Sequence, residues 1–384
     1  VSQASHSTLV EELETSLGLP IEFRVCEAPI FLSQEFAHDI QRAAVEIIEE
    51  CVLPANLQRS DATLQPRYTV RNESRNPLFS VVDFAVTIDA DGAFQPRLIE
   101  LQGFPSLFGY QWALMNQFIT TYGLEGGTPY LSGFTEDQYR ATLAEAVYAT
   151  CDPAEVALVE IDPAAQKTRP DFLAMQRLIG LQTVNIRDVR RFGKGLAFRD
   201  EDGTMRPLRR IFNRAIIDEL DDLGVSVDFA WNDELDVEWA GHPNWYFRIS
   251  KFLLPYLKHP TVPRSTLVSA VDLVEPEMLS NVVLKPLYAF AGKGVNVAPT
   301  LDDVRAIPTL ERSGWILQEK VQYAPCVPTP HGNNFVEVRI MLVWPETERR
   351  PIPVMTLART GRGALMGARY NTIPWTGSSG CLIA

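Results

Sequence analysis

The stretch Asn281-Val-Val-Leu-Lys285-Pro-Leu-Tyr-Ala-Phe-Ala-Gly292-Lys293-Gly294-Val-Asn-Val297 runs from an apolar strand into a glycine-bearing loop and then into a second short strand at 294–297. The first strand delivers Lys285 at its end. Gly292 and Gly294 let the loop backbone come close to whatever the lysine binds, so that its N–H groups can face an anion. Lysine plus glycine loop reads as a phosphate cradle. It is not the Walker pattern, because Gly-x-x-x-x-Gly-Lys-Ser/Thr is absent and a strand, not a helix, follows. The same residues also read as a plain hairpin with an exposed Lys285.

A second lysine stands upstream, in Phe247-Arg-Ile-Ser250-Lys251-Phe-Leu-Leu-Pro-Tyr-Leu257. An ammonium in so apolar a segment is costly without a partner, and a phosphate would be one; snorkelling to solvent is the alternative. Periodicity predicts one helix over 246–257. The acids lie earlier still. Runs at 79–88 and 96–101 flank Asp89-Ala-Asp-Gly92, a turn signature, and predict a β-hairpin. Residues two apart on a strand share a face, so Glu100 and Gln102 converge, with Asp83 facing them across the ladder. Such oxygen donors suit magnesium, and a solvated hairpin face is the alternative.

Around these stretches the organisation is regular. After Ser33, an N-cap, Phe36, Ile40, Ala43, Ala44, Ile47 and Ile48 recur at helical spacing and predict a packing helix ending before Pro54. Helices are also predicted around Trp112 to Ile119 and over 136–149. From Val156 the order becomes strand (157–161), helix (170–179), strand (182–186), a hairpin at Asp202-Gly203 and an apolar run at 210–217, a βαβ signature with a partly parallel sheet. Strands at 315–318, 335–344 and 353–358 make the last third rich in antiparallel sheet.

The chain has 384 residues, which fits two or three domains or one elaborate single-core unit. With 35 basic and 48 acidic side chains its net charge is −13, which argues against a general nucleic-acid or anionic-membrane binder while leaving room for a local basic pocket. The longest apolar runs, at 252–257 and 340–344, fall far short of the ~18 residues of a membrane span. Five scattered cysteines indicate neither a disulfide framework nor a zinc site. The polar opening at 2–8 lacks the grammar of a secretory signal, so the expected location is cytoplasmic.

Taken together in this order, the motifs resemble the circularly permuted ATP-grasp ligases, in particular the synthetase domain of glutathionylspermidine synthetase. The likeness covers roughly 72–384. Asn281 to Val297 is similar to that family's Lys-Pro strand and glycine loop, and Ile249-Ser-Lys251-Phe-Leu-Leu-Pro255 to the segment of its other ATP lysine. Asp83-Phe84 and Ile99-Glu100-Leu-Gln102-Gly-Phe-Pro-Ser106 resemble its Asp-Phe strand and Glu-x-Asn magnesium motif. Trp315-Ile-Leu-Gln318-Glu319-Lys320-Val321 resembles the strand whose backbone holds adenine, and Ala358-Arg359 an arginine near the transferred phosphate. Two departures stand out: Gln102 replaces the usual Asn, and Val81 the usual Arg, for which Arg71 or Arg75 could substitute. The Cys-His amidase domain of bifunctional relatives has no counterpart.

The resemblance implies an α+β / α/β fold of ATP-grasp type in permuted order. Residues 1–150 would carry the metal-binding acids, 151–245 a βαβ pre-ATP-grasp-like region, and 246–384 the nucleotide-binding region. It implies ATP bound by Lys251, Lys285, Gly292, Gly294 and 318–321, magnesium held by Asp83, Glu100 and Gln102, and Arg359 at the reacting phosphate. The activity would be carboxylate–amine ligation through an acyl phosphate, on a small-molecule or peptide carboxylate and an amine acceptor. The alternatives are a non-catalytic nucleotide-binding protein on a degenerate site and a small-molecule kinase. Other polar groups read as structural. Arg339 reads as one of a charged pair with Glu337 on one strand face, with a contact to nucleotide or acceptor as the alternative, the run from Arg369 to Gly380 is either a substrate-side loop or the end of the fold, and His242, His259 and His331 are isolated.

Overall fold

The computed structural model describes residues 2–124, 126–200, 202–271, 276–288, 292–367 and 370–384. Its centre is a five-stranded antiparallel sheet in the order Gly377–Ser379, Ile352–Gly361, Phe335–Val343, Phe79–Ile88, Phe94–Gln102. The early hairpin thus completes a sheet whose other strands come from the end of the chain. Its turn closes because the Asp89 Oδ1 accepts the N–H groups of Asp91 (3.0 Å) and Ala93 (2.9 Å), and Gly92 supplies the positive φ of 86°.

Alternation along these strands makes two different faces. On one, Val82, Phe84, Val86, Leu98, Leu101, Val338 and Ile340 pack against Ile40, Ala44, Ile47 and Ile48 of the helix Gln34–Cys51. Each large side chain so buried contributes roughly 1.5–3 kcal/mol. The other face changes character halfway along. Phe79, Val81, Met341, Val343 and Leu357 pack against Phe108, Tyr139, Leu143 and Phe172 from three helices, and the next residues on the same face are Asp83, Arg339, Glu337 and Arg359.

A β-bulge sharpens that division. Asp83 pairs with Glu100 and Phe84 with Leu98, so Ile99 is an extra residue. The bulge lets Leu98 and Leu101 both enter the core while Glu100 and Gln102 stay on the face of Asp83.

The predicted βαβ region forms a four-stranded parallel sheet, ordered Glu238–Ala240, Arg210–Asn213, Val156–Glu160, Gln182–Asn185, with the helix Arg169–Ile179 as crossover. A three-stranded sheet, Ser265–Leu267, Trp315–Glu319, Val282–Pro286, carries Lys285.

Two elements differ from the sequence expectation. The single helix over 246–257 is instead an α-helix Asn244–Arg248 and a 3₁₀ helix Lys251–Tyr256. Ser250 separates them in an extended conformation. Its hydroxyl donates to the Phe247 carbonyl (3.0 Å) and accepts the Phe252 N–H (3.4 Å), and Pro255 has no N–H to give. The strand over 294–297 shrinks to one bridge between Leu284 and Asn296, because the Asn296 side chain accepts the Ala298 N–H (3.0 Å) and turns the chain away.

Candidate functional site: a cluster of buried charge

The charged half of the sheet face receives two lysines from outside it. The break at Ser250 starts a new helix at Lys251, whose side chain turns inward: it is 7 % exposed, with Nζ 3.0 Å from Glu100 Oε1 and 3.4 Å from the Leu287 carbonyl. Lys285 donates to Gln318 Oε1 (2.5 Å) and to the carbonyl of the bulged Ile99 (3.4 Å). Burial pushes the Lys285 ammonium down to about 8, with Glu100 opposing and Lys251 adding to the shift. The cationic pair and the acidic pair, 150 to 200 residues apart in sequence, therefore meet in one place. Gly292 and Gly294 both take positive φ, 74° and 73°. The centre of that loop, Ala289-Phe290-Ala291, lies outside the described residues, as does Arg369 of the C-terminal run.

Arginines occupy the acid side. Arg339 donates to both oxygens of Asp83, Nε to Oδ1 at 2.6 Å and Nη2 to Oδ2 at 2.7 Å, and Arg359 Nη2 donates to Oδ2 at 2.5 Å. Arg359 also reaches Glu337 at 3.3 Å, and Tyr323 donates its hydroxyl to Glu337. The partner of Arg339 is thus Asp83 on the adjacent strand, not Glu337 on its own, because Arg339 and Asp83 are in direct register. Of the two sequence candidates for the arginine absent at Val81, Arg71 donates its side chain to the Asn232 carbonyl (3.2 Å). Burial alone would raise the Asp83 carboxyl, but the two guanidiniums outweigh it and hold it below the ordinary value. Glu100 is lowered in the same way, burial being outweighed mainly by Lys251. Glu337 goes the other way, raised by burial.

As arranged, these donors do not fit a magnesium ion. Magnesium needs free carboxylate oxygens at near-octahedral geometry, whereas both Asp83 oxygens hold guanidinium N–H groups and one Glu100 oxygen is paired with Lys251. Gln102 shares the face but pairs with Val81, one step further along, and lines a cavity of about 20 Å³ with Glu100, Lys251, Tyr246 and Tyr288, room for a water-sized occupant. Among the described residues no group of three or more His, Cys, Asp or Glu side chains is placed to hold a metal.

The segment 318–321 divides. Gln318 turns into the cluster, while Glu319, Lys320 and Val321 line an open groove of about 910 Å³ together with Thr87, Arg97 and His259 and with Asp39, Arg42, Ala43 and Glu46 of the helix that covers the opposite face of the sheet. That volume is in the range of small-molecule sites. Thr87 lies on the face of Asp83 four residues further on, about 14 Å along the strand. The Glu319 and Lys320 N–H groups are bonded to Arg264 (2.8 Å) and Asn281 (2.9 Å) carbonyls. The C-terminal run closes the fold: Gly377–Ser379 joins the central sheet and Cys381–Ile383 pairs with Ile30–Leu32. It also touches the cradle, since Tyr370 donates its hydroxyl to the Gly292 carbonyl (3.2 Å). His242 bonds the Arg71 carbonyl and His259 bonds Glu46, both at 3.0 Å, as structural groups.

A second polar cluster escaped the sequence reading. It sits at the carboxyl ends of the parallel strands Val156–Glu160 and Arg210–Asn213, where the crossover direction reverses, the usual ligand crevice of open α/β sheets. Burial pushes the Glu160 carboxyl up to about 7, with Arg214 only partly opposing. Asn213 Oδ1 and Asp218 Oδ1 are buried with no hydrogen-bond partner among the described residues. The two clusters are neighbours. Arg214 lies 5.1 Å over the Phe104 ring, Phe104 packs edge-on against Tyr246 at 6.0 Å, and Tyr246 lines the Glu100 cavity. The available signal was Glu160 itself, an acid closing the otherwise apolar run Val156-Ala-Leu-Val-Glu160.

No family model matches the sequence, and no curated protein matches it. Among solved structures the chain is similar to a glutathione synthetase like-effector from Globodera pallida in apoform, with TM-score 0.62 and 11% sequence identity over 99% of this chain and 96% of that one. At that identity the likeness shows the fold alone, a mixed α/β architecture of glutathione synthetase-like type. No described helix is long and apolar enough to cross a membrane.

Proposed function

We propose that this chain is an ATP-dependent ligase that joins a carboxylate to an amine through an acyl phosphate. One observation carries the reading: Lys251, Lys285 and Arg359 converge with Glu100 and Asp83 on the charged half of one sheet face. The fold supports it, as does the groove beyond Thr87, which is large enough for the nucleoside end beside Glu319, Lys320 and Val321. The phosphates would then lie against Lys285, Lys251, Gly292 and Gly294.

The chemistry follows from the charges. A substrate carboxylate oxygen attacks the γ-phosphorus as its bond to ADP breaks. Phosphoryl transfer is accelerated by alignment and by cations that neutralise negative charge spread over the transferred group, which the two lysines and Arg359 supply. The amine nitrogen then attacks the acyl carbon, phosphate leaves with the C–O electron pair, and the nitrogen releases a proton to phosphate or solvent. The free acceptor oxygens of Asn213 and Asp218, with Glu160, suit the N–H donors of an amine. No side-chain nucleophile is required.

The decisive experiment is a screen of amino acids, peptides and polyamines for ADP release. Release that requires an acid and an amine together supports the ligase; release with a single hydroxyl or carboxylate co-substrate replaces it with a kinase. The second reading, a nucleotide-binding protein without turnover, is favoured by the capture of Asp83 by two arginines. It predicts that ATP raises the melting temperature while no co-substrate pair releases ADP. Absence of both ATP binding and ADP release removes every reading built on this cluster.

A further inference from the structure

We infer that Asp83 is a positioning residue that fixes Arg339 and Arg359, not a metal ligand, and that the cluster therefore takes a polyphosphate chain as the free anion. The inference rests on the reading above that a polyphosphate binds here, and it changes what holds that ligand.

Three observations support it. First, a carboxylate offers about four lone-pair positions, and three N–H groups from two guanidiniums already occupy Asp83, which is 1 % exposed. A dication placed on the remaining position would sit against both guanidiniums with no bulk water to screen the repulsion. Second, two donors of the cluster are buried and have no hydrogen-bond partner among the described residues: Arg359 Nε and Gln318 Nε2. Leaving such a group unpaired costs ~1–3 kcal/mol. Anionic oxygens satisfy N–H donors and a metal ion does not. Gln318 cannot simply turn its amide round, because its oxygen is held by Lys285. Third, the charges do not cancel. Lys251, Lys285, Arg339 and Arg359 stand against Asp83, Glu100 and Glu337, that is 4 − 3 = +1. The field of the site favours an anion over a cation.

Calorimetric titration of the wild-type chain with inorganic tripolyphosphate, once in EDTA and once in excess magnesium, separates the two roles by sign. Magnesium reduces the charge of tripolyphosphate, so a cluster of arginines and lysines binds it severalfold tighter in EDTA. A carboxylate metal site binds it tighter in magnesium, and that result overturns the inference. Asp83→Asn is the second arm: loss of arginine positioning weakens binding about tenfold, ~1.4 kcal/mol, equally in both buffers. A loss confined to magnesium also overturns it. If Asp83→Asn does not fold, the sign of the wild-type magnesium effect decides alone. Should the wild type bind neither tripolyphosphate nor ATP in either buffer, the inference falls together with the function proposed above; binding that demands magnesium removes the inference only.

Discussion

On the antiparallel sheet every oxygen of Asp83 meets a guanidinium, while at the ends of the parallel strands Glu160 is buried with one backbone N–H at 2.7 Å and an arginine that only partly offsets its burial. Both clusters set buried carboxylates against arginines. They differ in balance. The first has spare donors, on Arg359 and Gln318, and the second has spare acceptors, on Asn213 and Asp218, beside a spare donor, Arg214 Nε. A buried polar group left unpaired is a standing cost, so the kind of group left over indicates the kind of ligand each end suits: an oxyanion at one, a group carrying both N–H donors and an acceptor oxygen at the other. Phe104 and Tyr246 lie between them.

The comparison can be broken at several points. The largest effect is expected at Asp83→Ala, which leaves Arg339 and Arg359 buried without their counter-charge; denaturant unfolding should show a loss of about 3–5 kcal/mol, and a loss below ~1 kcal/mol would mean that the guanidiniums find water. Lys285→Ala is next. It removes an ammonium that the fold itself disfavours, so its melting temperature should not fall, whereas ATP-dependent ADP release should drop about 10²–10³-fold. Glu160→Gln tests the second cluster through pH. The folded carboxyl is raised from 4.5 to about 7, so between these values the folded chain holds a proton that the unfolded chain has lost, and stability falls as pH rises across the window. The Gln variant should lack that fall, gaining about 3 kcal/mol over wild type at pH 8 and nothing below pH 4.5, measured by unfolding at both values.

The smallest effect sharpens the first. Arg350 binds Glu49 with the same forked geometry as Arg339 on Asp83, at 2.6 and 2.7 Å, yet its side chain is 59 % exposed. Glu49→Gln should therefore cost less than ~1 kcal/mol. A cost equal to that of Asp83→Ala would show that geometry, not burial, sets the strength of such forks here.

Much of this was legible in the sequence where a period or a turn spoke. The hairpin with its Asp89-to-Gly92 turn, the helix after Ser33, the βαβ alternation and the placing of Asp83 opposite Glu100 all follow from local pattern. The meeting of Lys251 and Lys285 with Glu100 was legible through the resemblance, since no local rule joins residues so far apart. What stayed hidden depends on single contacts. The bulge at Ile99 adds one residue without a sequence mark. The Ser250 hydroxyl competes with a helix that apolar spacing alone predicts to continue. Arg339 had two acids to choose from, and only the strand register selects Asp83. Glu160 was readable as an acid ending an apolar strand, but its weight comes from Asn213, brought beside it by the parallel pairing.

The central claim is that the buried ammonium of Lys285 and its neighbours form a polyphosphate site. Equilibrium titration of ATP against wild type and Lys285→Ala, at matched melting temperatures, tests it most directly. The account predicts binding by the wild type and at least about tenfold weaker binding by the variant; equal affinity in the two, or none in the wild type, contradicts it.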